Sequence, residues 1–99
     1  MTAQDDHGAA TLRRDDGALV FAGVLTRDAV AALWRQALPL LTGARHLDLA
    51  AVERVDSAGL ALLAELAARI EGATVVGLPD GLGDLRTAYR LDDALAFAR

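Results

Sequence analysis

Between residues 56 and 60 the chain reads Asp56-Ser57-Ala58-Gly59-Leu60, placing a carboxylate, a hydroxyl and a glycine immediately ahead of an apolar run. Ser57 is expected to be the N-cap of the helix that begins here, its side-chain oxygen accepting from an amide N–H that no helical carbonyl reaches. The same N–H groups, with the positive end of the helix dipole, would also receive a phosphate attached to or held beside Ser57. Asp56 has two open readings: a favourable charge ahead of the dipole, or a member of a phosphoacceptor or binding site. Gly59 in a first helical turn costs about 0.5 to 1 kcal/mol against Ala, and close approach by a partner's backbone would explain it. Asp56, Ala58, Gly59 and Leu60 therefore form the expected partner-binding surface around Ser57.

Catalysis finds little material. The chain holds two histidines and no cysteine; His46 has no second ligand at metal spacing, and no nucleophile has a histidine placed to activate it. Gly81-Leu82-Gly83-Asp84 is too short and isolated to cradle a phosphate. The expectation is a chain without catalytic residues, metal or cofactor.

The elements that position Ser57 follow from periodicity. Residues 10–14 and 18–24 read as strands joined by a tight Asp15-Asp16-Gly17 turn, in which Asp-Gly supplies positive φ. The second strand has little polar interruption, which suits burial on both faces or a central position. Thr26 is expected to cap a helix with Asp28 in its first turn, carrying Ala29, Val30, Leu33, Trp34, Ala37 and Leu38 on one stripe. Trp34 fits the core on that stripe, and Pro39 stops the helix. Residues 46–50 alternate as a half-buried strand with Asp48 on its polar side, followed by a short polar connection. A helix over about 58–71 presents Leu60, Leu63, Ala67 and Ile70 inwards. A β-branched strand over 74–78, a helix over 84–91 and a short closing turn complete the order β-β-α-β-α-β-α. Strand-helix-strand units favour parallel neighbours through right-handed crossovers. The fold class is α/β, a mixed sheet of about four strands with about three helices packed against it.

At 99 residues, 54% hydrophobic and 24% charged, the composition is that of one folded domain, residues 10–99, behind a polar N-terminal tail, residues 1–9, expected to be flexible. A net charge of −4 gives no sequence-wide attraction to nucleic acid or anionic lipid, so proteins are the expected partners. The N-terminus lacks a basic start and an apolar core, and no apolar run approaches the length of a membrane span. A cytoplasmic location, without direct membrane insertion, is expected.

The wording Asp-Leu-Ala-x-Val-x-x-Val-Asp-Ser-Ala-Gly-Leu-Ala-Leu-Leu, residues 48–63, resembles the signature of STAS domains, the family of anti-sigma factor antagonists and of sulfate-transporter tails. Within it, the Leu-Val-Phe-Ala-Gly-Val-Leu-Thr opening and the Ala-Leu-Trp helix are most similar to the MlaB-like group. Those proteins are small cytoplasmic subunits of bacterial ABC transporters that move phospholipids between two membranes. The resemblance implies an anti-sigma factor antagonist-like fold and a non-catalytic subunit, peripheral to the inner membrane through its complex. Its partner would be an MlaF-like ATPase subunit. In MlaB-like proteins the hydroxyl residue at the Ser57 position lies at the ATPase contact. The alternative implication is an anti-sigma factor antagonist, phosphorylated at Ser57 by a partner serine kinase. Where those antagonists commonly carry serine, this chain has Ala50 and Ala58.

Overall fold

A computed structural model describes residues 10–91. The N-terminal tail, residues 1–9, and the closing turn expected after Leu91 lie outside the described residues. The elements are β1 (Thr11–Asp15), β2 (Ala18–Leu25), α1 (Arg27–Ala37) with a 3-10 turn at Leu38–Leu40, β3 (His46–Val55), α2 (Ser57–Ala68), β4 (Thr74–Val76) and α3 (Leu82–Tyr89). They form an α/β fold around one four-stranded mixed sheet of order β1-β2-β3-β4. β1 pairs antiparallel with β2, whereas β2, β3 and β4 run parallel.

The hairpin opens as the Asp-Gly wording demands, but the positive φ falls on Asp16, at 56°, and not on Gly17. Aspartate tolerates the left-handed region better than most residues. β2 is central, and its side chains alternate: Leu19, Phe21 and Leu25 are fully buried while Ala18, Val20, Ala22 and Val24 are half-buried. Burial is thus complete on one face only. α1 contacts β1 and β2, α2 contacts β2 and β3, and both α1 and α3 contact α2. The helices therefore form a single layer against that face, where Leu33, Ala37, Leu47, Leu49, Leu63 and Leu66 complete the core.

β3 is twice as long as the alternation of residues 46–50 indicates. Its pairing with β2 slips twice: Val20 faces Asp48 but Ala22 faces Ala51, and Gly23 faces Val52 but Val24 faces Arg54. Each slip inserts one extra residue into β3, a bulge that resets which side chains point inwards. Inward residues consequently run Leu47, Leu49, Val52, Val55, a spacing that imitates a polar connection. Asp48 supports the first bulge, its Oδ1 accepting from the Ala50 N–H at 3.0 Å. The polar connection expected between strand and helix shrinks to Asp56 alone.

Trp34 is half-buried against the core, with the Arg69 guanidinium 5.0 Å from its ring centroid, so an apolar body and a cation–π contact share one side chain.

Candidate functional site

Two parallel strands, β2 and β3, end side by side, and each is followed at once by a helix. That arrangement brings the first turns of α1 and α2 together, and Asp56 stands between them. The structure assigns the caps differently from the sequence reading. Asp56, extended at φ −99° and ψ −176°, is the N-cap of α2; its Oδ1 accepts from the Gly59 N–H at 2.8 Å. Ser57 is the first residue inside the helix. Aspartate and serine are comparable caps, so the choice is made by tertiary structure. The other carboxylate oxygen, Oδ2, accepts from the Arg27 N–H of α1 at 3.1 Å. A serine hydroxyl could not reach both helices. Thr26 precedes α1 but makes no side-chain cap bond; its expected role belongs to Asp56.

These bonds set the electrostatics. The Gly59 N–H is the main cause holding the Asp56 carboxyl below its ordinary pKa, with help from the N–H groups of Arg27 and Ala58 and from the Arg27 charge, while partial burial opposes the shift. Asp56 is therefore an ionised clasp between two helix starts, each presenting its positive dipole end.

Gly59 answers to the same junction. A Cβ built on it would stand 2.1 Å from the Leu25 carbonyl oxygen and 2.9 Å from its carbon. That carbonyl already accepts the Asp56 N–H at 3.2 Å. The close approach that Gly59 permits is thus to the end of β2 in its own chain, not to a partner's backbone. Gly59 is buried, and Leu60 is only 2% exposed. Of the five expected surface residues, Ser57 is exposed, Asp56 and Ala58 are half-buried, and the other two turn inwards.

What the sequence reading missed is a groove beside this turn. An open, apolar hollow of about 330 Å³ runs along α2, from Ser57 past Ala58 and Ala61 to Ala64, with Leu60 at its base. Its opposite wall is Tyr89, at the end of α3, and Leu91. The signal was present as alanines at three-residue spacing, which give a helix a low ridge on one face. Among the described residues no cluster of His, Asp and Glu could hold a metal ion, and no helix is long and apolar enough to cross a membrane. The described strands also lie in sequence order, so among the described residues there is no reversal of the kind at whose crevice open α/β sheets usually bind nucleotides.

Comparison with known proteins fits this geometry. No curated protein matches the chain. A solved structure described as a crystal structure analysis of Mglu is similar at 26% identity with a TM-score of 0.52; the match covers 83% of this chain and 23% of that one. The chain thus spans about a quarter of the length of the protein it resembles. The family model described as "Mlab, STAS domain" matches residues 9–96, and STAS domains are in general non-enzymatic binding domains. With a four-stranded mixed sheet, three helices and the Asp56–Ser57 turn at the head of α2, this chain belongs to the STAS family, in its MlaB-like branch.

Proposed function

We propose that the chain is a non-catalytic STAS subunit that binds, and thereby regulates or stabilises, the cytoplasmic ATPase of an MlaFEDB-like ABC transporter maintaining outer-membrane lipid asymmetry. It works in the cytoplasm, held at the inner membrane through the transporter. The observation that carries this reading is the division of labour at the head of α2. Asp56 performs the capping, which leaves the exposed Ser57 and its neighbour Ala58 beside an open apolar groove. An ordered, apolar surface next to a small hydroxyl suits close docking by another protein.

The test is paired substitution at Ser57 with binding to the ATPase subunit read by calorimetry. Ser57→Asp places a second carboxylate in the interface, and burying it without a cation is expected to weaken binding about a hundredfold, which is roughly 2.8 kcal/mol. Ser57→Ala keeps the surface small and neutral and should bind much closer to wild type. Equal affinity for Ser57→Asp and wild type would place the docking surface elsewhere.

One observation favours the signalling alternative as well: the exposed Ser57 is not consumed by capping. A phosphate there would add a charge of about −1.5 to −2 beside the ionised Asp56, and the two would repel. Incubation with the serine kinase of the host, followed by mass spectrometry, separates the readings; phosphate on Ser57 would support the switch.

A further inference from the structure

The end of the sheet farthest from Ser57 carries a feature that docking at α2 leaves unused. β2 and β3 start there and finish beside Asp56, a separation of roughly 25 Å for a strand of eight residues. At the starting end, the β1–β2 turn and the segment leading from α1 into β3 border a hollow of about 190 Å³. Arg14, Asp16, Gly17, Gly43, Arg45 and His46 line it.

Arg14 reaches the hollow from β1 and is held in place by backbone. Its Nε donates to the Asp16 carbonyl, and its Nη1 donates to the Leu40 carbonyl at 3.0 Å and to the Thr42 carbonyl at 2.7 Å. A guanidinium has five N–H donors, so three are spent on these carbonyls while the two on Nη2 are not. A Cβ on Gly43 would stand 2.8 Å from Nη2, so the glycine leaves the ground in front of that group open. Arg45 comes from the other wall. Its aliphatic stem runs past Gly17, where a Cβ would lie 3.6 Å from its Cγ, and its guanidinium makes no hydrogen bond or ion pair among the described residues. Clamping the α1–β3 loop accounts for Nε and Nη1 of Arg14, but not for Nη2 or for Arg45.

No acidic group neutralises this pair. The ion pairs among the described residues join Arg13 to Asp15 and Arg69 to Glu65; Asp16 lines the hollow but lies beyond ion-pair range of both arginines. The acidic residues outside the described ones, Asp5, Asp6, Asp92 and Asp93, join the described chain at the far end of the sheet, where Thr11 pairs with Ala22 and Leu91 walls the groove beside Ser57.

One arginine fork satisfies the two oxygens of a carboxylate, whereas two guanidinium groups bordering one hollow suit an anion with more oxygens and up to two charges. We infer that this hollow binds a phosphate group, with Arg14 Nη2 donating to one oxygen and the Arg45 guanidinium to others. Because backbone carbonyls already hold Arg14, binding orders little more than the Arg45 side chain. The site lies apart from the α2 surface and does not rest on the docking reading.

Arg14→Gln would also release the α1–β3 loop, so Arg45, whose guanidinium bonds to nothing in the described fold, carries the test. Sodium phosphate titrated into the labelled full chain at constant pH and ionic strength should shift the amide signals of Gly17, Gly43, Arg45 and His46 saturably, with a Kd on the order of 1 mM. Sodium acetate should shift them far less. Arg45→Gln should bind phosphate about tenfold more weakly with an unchanged melting temperature, and Arg45→Lys should fall between it and wild type. Glycerol phosphate distinguishes the source: binding no tighter than that of inorganic phosphate assigns the hollow to the free ion, and tighter binding assigns it to a phosphate ester, each in support of the inference. The inference is overturned if phosphate gives no saturable shift by about 20 mM, if acetate matches phosphate, or if Arg45→Gln binds as tightly as wild type. The ATPase takes no part in these measurements, so a failure of the docking reading leaves them unaffected.

Discussion

The first turn of α2 has two faces that obey different demands. On the inner face, Asp56 clasps α1 and α2 together and Gly59 lies against the Leu25 carbonyl. On the outer face, Ser57 and Ala58 lie beside a groove that nothing in the described structure fills. Across four consecutive positions of one motif the first and last residues face inwards and the middle two outwards, so a motif that reads as a single functional unit is two. The difference teaches that Asp56 and Gly59 are kept for the junction of strands and helices, whereas Ser57 and Ala58 are open to the demands of a partner.

The largest effect should come from breaking the inner face. In an exposed helical turn, Gly→Ala stabilises by about 0.5 to 1 kcal/mol. Gly59→Ala is expected to do the opposite, destabilising by about 3 kcal/mol, because the new methyl meets a backbone carbonyl that cannot move without displacing β2 or α2. A thermal melt decides by sign alone. A stabilised Gly59→Ala protein would erase the distinction between the faces.

Asp56 should come next. Asp56→Ala removes one acceptor from each helix start, and a cap plus a charge-assisted bond together are worth about 2 kcal/mol. Asp56→Asn sharpens the result, since its single carbonyl oxygen can serve Gly59 or Arg27 but not both. Because the folded-state pKa of Asp56 is depressed, its contribution is complete above the unfolded value, about 4, and is lost as the pH falls through the folded value. Wild type and Asp56→Asn should therefore differ in melting temperature at pH 7 and converge as the pH drops below about 4. A gap that stays constant to pH 2 would mean that the carboxylate's charge is not what holds the junction.

Much of the fold was legible because it rests on local signals: the Asp-Gly hairpin, the apolar stripe of α1, the cap-and-apolar wording of α2. What was not legible depends on pairs of distant residues. Asp56 outranks Ser57 as cap only because Arg27, twenty-nine positions away, presents a second N–H to it. β3 was cut short because its bulges replace the two-residue period with three-residue steps from Leu49 to Val52 to Val55. The cost of Gly59 in a first helical turn is legible in the sequence, but its cause is the Leu25 carbonyl rather than a partner. The groove required α3 to be placed before its far wall, Tyr89 and Leu91, could be seen.

The smallest effect, on the outer face, is the most discriminating. If Ser57 were the cap, Ser57→Ala would cost about 1 kcal/mol, a shift of several degrees for a domain of this size. Placed instead at the first helical position, with an exposed side chain and with Asp56 holding the cap bond, Ser57 gives up little. Alanine is the better helix former, so Ser57→Ala should melt within about 0.5 kcal/mol of wild type, and the change can have either sign. The double variant Asp56→Ala/Ser57→Ala separates the remaining possibility that Ser57 takes over when Asp56 is gone. If it does, the double variant loses more than the sum of the two single changes; if the two faces are independent, the losses add. Additive losses would confine the fold's dependence on this turn to its inner face, and leave Ser57 answerable to binding alone.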